Sequence, residues 1–139
     1  MRRFLGRLAV LVVALPLATI VAPAAHAATA APALVIGSDF PDPDVSRFGS
    51  TYYAYSTNNA NGNVPVATAA ALGGPWTRRG NALPTLGAWA SGGLTWAPDV
   101  SVRADGRYLL YYTARSIATG RQCLGAATAT SPLGPFSPV

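Results

Sequence analysis

Asp42-Pro43-Asp44-Val45-Ser46 and Ala97-Pro98-Asp99-Val100-Ser101 are one five-residue unit written twice, 55 positions apart, with Pro, Asp, Val and Ser matching. Ahead of the first copy, Phe40-Pro41 places the carboxylate of Asp42 between two prolines. Each proline fixes its own φ and pushes the residue before it towards extended backbone. Asp42 is therefore expected to be stiff and extended, which suits a group that must already be in place when a substrate arrives. Read alone, the stretch is first of all a Pro-Asp-Pro turn before a strand.

Working outward, the repetition continues. Tyr108 matches Tyr53 at the same offset, while Ala127-Thr128-Ala129 and Gly134-Pro135-Phe136 match Ala67-Thr68-Ala69 and Gly74-Pro75-Trp76 at an offset of 60. The five extra residues are placed around Ser116 to Gln122, between a second and a third strand, where insertions are tolerated. Strands are expected at Val45 to Phe48, Thr51 to Thr57 and Val64 to Ala69, with a fourth after the Gly73-Gly74-Pro75-Trp76 turn. Asn58 to Asn63 reads as a polar loop and Asn81 to Gly93 as irregular. No stretch after the leader sustains a 3.6-residue period. About four short strands every ~50 residues is the mark of a β-propeller. The expected fold is all-β, the first two blades of a propeller, with blade one over about 42–80 and blade two over about 96–139. Closing a ring takes roughly four to eight blades, so the chain is expected to be the N-terminal part of a longer protein.

The front of the chain reads differently. Arg2, Arg3 and Arg7 precede an apolar run from Leu8 to Ala22, and Ala25-His26-Ala27 is a small-x-small cleavage site. Residues 1–27 are read as a secretory signal peptide and 28–34 as a disordered linker, leaving a secreted protein with no membrane segment after cleavage. The three leader arginines account for much of the formal charge of +5, and the mature chain carries about +2. That balance does not suit a nucleic-acid binder.

Several chemistries are excluded by composition. The chain has no Glu and no Lys, and its one His, His26, leaves with the leader. A Ser-His-Asp triad and a histidine metal site are both out of reach. No cofactor is expected in this chain. Cys123 is single, so it forms no disulfide within the chain and is read as a strand residue or as the half of a bond to a partner.

Phe40-Pro41-Asp42-Pro43-Asp44-Val45 with Gly49 to Tyr53 resembles the opening of family 43 of the glycoside hydrolases. Thr95-Trp96-Ala97-Pro98-Asp99-Val100, Asp105-Gly106-Arg107-Tyr108 and Leu110-Tyr111-Tyr112 resemble its second blade, and Gly125 to Thr128 with Gly134-Pro135-Phe136 that blade's outer strands. The resemblance implies a five-bladed propeller that hydrolyses O-glycosyl bonds in arabinan, xylan or similar polysaccharide and oligosaccharide with inversion. It implies that Asp42 is the general base, while the second aspartate and the acidic glutamate belong to later blades. The chain by itself is then expected to be inactive. A metal ion at the centre of the full propeller is left open by these residues.

The chemistry fits that reading. Inverting hydrolysis uses two carboxyl groups about 6.5–9.5 Å apart, one accepting a proton from water and one donating to the leaving oxygen. Trp96 is the first candidate to hold the sugar, with packing between blades as its alternative, and Asp99 and Trp89 are the further substrate-binding candidates. Trp76 and Phe136 are expected to pack within their blades, the tyrosines to be mostly strand core, and Asp105-Gly106 to be a hairpin turn. Two alternatives stand beside the hydrolase: a sugar-binding propeller without catalysis, and an inactive or structural β protein.

Overall fold

The computed structural model describes residues 33–139; the expected signal peptide and most of the linker lie outside them. All regular elements among the described residues are strands. The first sheet comprises β1 (Asp44–Phe48), β2 (Thr51–Tyr55), β3 (Pro65–Ala69) and β4 (Thr77–Asn81). The second comprises β5 (Ala90–Val102), β6 (Tyr108–Ser116), β7 (Gln122–Ala129) and β8 (Ser137–Pro138). Each sheet is antiparallel and keeps chain order, β1-β2-β3-β4 and β5-β6-β7-β8. The two sheets are thus two copies of one four-stranded meander.

The register shows how the copies superpose. Val45 pairs with Ala54 and Val100 with Leu110; Tyr52 pairs with Ala69 and Tyr108 with Ala129. Tyr108 therefore stands where Tyr52 stands, not Tyr53. One of the five extra residues falls in the β5–β6 hairpin and four between β6 and β7. The physical reason is the turn. Gly49-Ser50 closes the first hairpin, whereas the second runs through Arg103 to Arg107, with Gly106 at φ 78° and its N–H donated to the Arg103 carbonyl. The expected Asp105-Gly106 turn is there.

Strand β5 begins six residues before the expected edge of blade two. Ala90 and Ser91 pair with Ser116 and Arg115, so Gly92 and Gly93 interrupt a strand that the glycine-rich sequence disguises as loop. A bulge follows: Trp96 pairs with Thr113 but Asp99 with Tyr111, three residues on one strand against two on the other.

Residues paired across strands share a face, so the two sheets can be sorted by side. Val100, Leu110, Tyr112 and Ala127 face the first sheet and are buried, as are Tyr55 and Val66 opposite them. Phe136 seals this core from the outer edge, its N–H bonded to the Ala82 carbonyl. The position matching Phe136 in the first sheet is Trp76. It lies half-buried on the other side, in a groove of about 330 Å³ that Leu34, Val35 and Ile36 share with Val45 and Ala54. The matched aromatics thus differ in role, because among the described residues only the second sheet has a neighbouring sheet on that side.

Backbone and side-chain hydrogen bonds also join the sheets. Asp44 Oδ2 accepts from the Val100 N–H at 3.0 Å, Ser46 Oγ donates to the Val100 carbonyl at 3.3 Å, and the Tyr55 hydroxyl donates to the Pro132 carbonyl at 2.6 Å. Phe48 meets Tyr108 edge to face with centroids 5.0 Å apart.

Candidate active site

Asp42 precedes β1 by two residues and is exposed. Its backbone is not extended: φ is 47°, in the left-handed region. The local preference set by Pro43 loses to two fixed contacts on the preceding residue. The Pro41 carbonyl accepts from the Thr57 N–H at 3.1 Å and from Ser56 Oγ at 3.1 Å. Held there, the chain must turn sharply to enter β1, and aspartate is among the residues that tolerate that turn. The extended backbone expected from the prolines is not found at Asp42; the corner is tied instead by Ser56 and Thr57 through the Pro41 carbonyl.

Ala97, which matches Asp42 in the repeat, has the same φ of 47°. Alanine has no polar side chain to offset the strain of this region, which costs roughly 1–2 kcal/mol. The conformation is therefore a property of the repeated corner rather than of the aspartate.

The two corners are joined by Thr57 and Asn58. The Ala97 N–H donates to Thr57 Oγ1 at 3.0 Å, so Thr57 holds Pro41 with its N–H and Ala97 with its side chain. Asn58 exchanges two bonds with Thr95, through its own N–H and its Oδ1, and donates Nδ2 to the Gly93 carbonyl. From the other side Gln122 Nε2 donates to the Leu94 carbonyl at 2.8 Å. Asp42 and Trp96 are each one residue from an atom held by Thr57. Ser56 and Thr57 are buried. The sequence places Ser56 and Thr57 at the end of an expected strand and Asn58 in a polar loop, and neither context marks them as site residues; β2 ends at Tyr55, and the usable signal is a polar run after a buried strand end.

Trp96 is 43% exposed, on the side of β5 that faces away from the first sheet, together with Asp99 and Ser101. Trp89 sits otherwise. Its ring stacks on Tyr112 at 6.4 Å and 15°, and it packs against the core. Gly125 makes room for that stack: a Cβ there would lie 2.7 Å from Tyr112 Cζ and 2.8 Å from Trp89 Cζ2. Tyr111 departs from the expected strand core, being 43% exposed. Cys123 is a half-buried free thiol on β7.

Asp44 differs from Asp42 in environment. Burial pushes its carboxyl above the ordinary carboxylate value, opposed by the Val100 N–H and reinforced by the nearby charge of Asp99. It is engaged in joining the sheets, whereas Asp42 presents an exposed carboxyl group after an anchored Pro41 carbonyl. Such a group can take a proton from a water molecule delivered to it. Among the described residues no three His, Cys, Asp or Glu side chains come together to hold a metal ion.

Comparison with known proteins extends this pattern. The chain is 38% identical over 94 residues to a probable arabinan endo-1,5-alpha-L-arabinosidase C of Aspergillus niger, covering 65% of this chain and 28% of that protein. It superposes on the crystal structure of a thermostable family-43 glycoside hydrolase with a TM-score of 0.64 at 30% identity, over 72% of this chain and 32% of the other. An endo-arabinase from Bacteroides thetaiotaomicron gives a TM-score of 0.63 at 27% identity, over 76% of this chain and 36% of the other. The chain thus spans about a quarter to a third of the length of these relatives. The family model for glycosyl hydrolases family 43 matches residues 32–139, the whole of both sheets, and the chain belongs to that family.

Proposed function

We propose that this chain supplies the base-bearing blades of a secreted glycoside hydrolase that cleaves arabinan-type polysaccharide with inversion. One observation carries the reading: Asp42 is exposed, and the residue before it is pinned by Ser56 and Thr57. In this scheme Asp42 takes a proton from water as the water oxygen attacks the anomeric carbon. The glycosidic C–O bond breaks on the opposite side, and the departing oxygen takes a proton from a second carboxyl. In the family resemblance that acid is a glutamate of a later blade, and this chain has no Glu. Trp96 offers an exposed aromatic surface beside the corner for a sugar ring. The arabinosidase named above and the endo-arabinase neighbour favour arabinan over xylan as the substrate.

The test is Asp42→Asn in a complete propeller carrying this chain, assayed on arabinan and on an aryl arabinofuranoside. Amide for carboxylate keeps the shape and removes the proton acceptor. kcat is expected to fall about 10²- to 10⁴-fold with little change in KM, because the lost interaction acts in the chemical step. Azide is expected to restore part of the rate by replacing the activated water. Asp44→Asn, whose carboxylate is spent on Val100, is the control and should leave kcat near wild type. Near-full kcat in Asp42→Asn, with a loss confined to Asp99→Asn, would move the base to the second blade and overturn the assignment.

A further inference from the structure

We infer that Thr57 is a positioning residue that fixes the spacing between the base at Asp42 and the sugar surface at Trp96. The inference rests on the roles of Asp42 and Trp96 in the proposed function and adds what makes them one site.

Asp42 leads into the first sheet, whereas Trp96 lies in the second. Both residues are exposed, so packing alone does not set their separation. A peptide group is planar, so whatever holds its carbonyl or its N–H also places the Cα atoms at its two ends. The Pro41 carbonyl belongs to the plane that carries the Cα of Asp42, and it accepts from the Thr57 N–H at 3.1 Å. The Ala97 N–H belongs to the plane that carries the Cα of Trp96, and it donates to Thr57 Oγ1 at 3.0 Å. One residue thus holds both planes from which the two side chains spring. Its neighbour holds the remaining plane at Trp96: the Asn58 N–H donates to the Thr95 carbonyl at 2.8 Å. Thr57 itself is buried, so water competes little for either of its bonds.

The two ties differ in what they ask of the sequence. The amide that holds the Asp42 corner is one that any residue except proline supplies. The tie to the Trp96 corner needs an oxygen on Cβ, which serine keeps and valine, of nearly the same shape, lacks. Substitution at position 57 can therefore cut one tie and spare the other. Ala97 is exposed, so its released N–H can turn to water. The sheets stay joined through Asp44, Ser46 and Tyr55. The side chain of Thr57 touches neither sugar nor water in this scheme; it acts through Ala97. What it supplies is alignment. A sugar resting on Trp96 meets a water on Asp42 only while platform and base keep one separation, and a misplacement of about 1 Å can cost about 10²-fold in rate.

The experiment is a double-mutant cycle in a complete propeller carrying this chain, with kcat/KM measured on arabinan for Thr57→Val, Trp96→Ala and the pair. Thr57→Val is expected to lower kcat/KM about 10- to 100-fold while Trp96 is present. Once Trp96 is alanine the same change should cost less than about 3-fold, since no platform is left to misplace. Thr57→Ser should stay within about 3-fold of wild type, because the acceptor remains. Tyr55→Phe removes a bond between the sheets that touches neither corner; it is the control for lost stability and should leave kcat/KM unchanged. Asn58→Ala cuts the side-chain ties to Thr95 and Gly93 and carries the test if Thr57→Val does not fold. Its loss should likewise shrink in the Trp96→Ala background. Equal losses in the two backgrounds, or a Thr57→Ser variant as impaired as Thr57→Val, would overturn the positioning role and leave Asp42 and Trp96 in theirs. Full kcat in Asp42→Asn, or full kcat/KM in Trp96→Ala, would instead remove the site assignments, and the positioning role with them.

Discussion

Replacing Asp44 by alanine should destabilise the chain and replacing it by asparagine should not, and the contrast tests how the sheets are joined. Asp44 is half-buried, and its Oδ2 is 3.0 Å from the Val100 N–H. Val100 is itself only 3% exposed, so its amide cannot readily turn to water. Asp44→Ala removes the acceptor and strands that N–H. The loss of a buried, charge-assisted hydrogen bond is expected to cost about 1.5–3 kcal/mol. In a urea titration that is a fall in midpoint of roughly 1 M, for a slope typical of a domain of this size. Asp44→Asn keeps an acceptor oxygen at the same place and removes a charge that burial and Asp99 both disfavour. Its midpoint at pH 7 should stay within about 0.5 kcal/mol of wild type or rise. The pH dependence separates the variants further. A carboxyl whose folded-state pKa lies above its ordinary 3.8 binds its proton more tightly when folded. Its contribution is therefore present below that value and lost as pH rises through the raised one. Wild type should show this decline, and both variants should lack it. If asparagine destabilised as much as alanine, the charge itself, not the acceptor, would be holding the sheets, and the account would fail.

Ala97→Gly should stabilise the chain by about 0.5–1 kcal/mol and Ala97→Val should destabilise it by more, since φ is 47° there; thermal melts decide both. Gly125→Ala should cost about 1–3 kcal/mol and redden the fluorescence of Trp89, because the new methyl collides with both rings of the Trp89–Tyr112 stack. Tyr55→Phe should cost about 1 kcal/mol in denaturant, removing the 2.6 Å bond to Pro132 while leaving the packing intact.

How far the sequence could be read depended on what each residue had to be distinguished from. The Pro-Asp-Val-Ser unit recurs at one fixed offset and marks the start of both sheets, so the two-blade architecture was legible. Tyr52-Tyr53 against a lone Tyr108 was not, because one tyrosine can be matched to either of two, and only the pairing with Ala69 and Ala129 chooses. The early start of β5 was hidden by Gly92-Gly93, which carry no side-chain pattern. The proline pair led to an expectation of extended backbone at Asp42, because local dihedral preferences could not anticipate that Ser56 and Thr57, fifteen or so residues on, would fix the Pro41 carbonyl and turn the corner left-handed. Long-range hydrogen bonds of that kind leave no periodic trace.

The shared backbone of Asp42 and Ala97 separates where a carboxylate can be displayed from which blade displays it. Each corner takes the same left-handed turn, and Thr57 serves both, with its amide towards one and its hydroxyl oxygen towards the other. A single codon change at Ala97 would load the second corner with an acid on a backbone already shaped to carry it. Duplication of such a blade multiplies prepared but silent positions, and the specialisation of one blade over its neighbours then needs no change of fold at all.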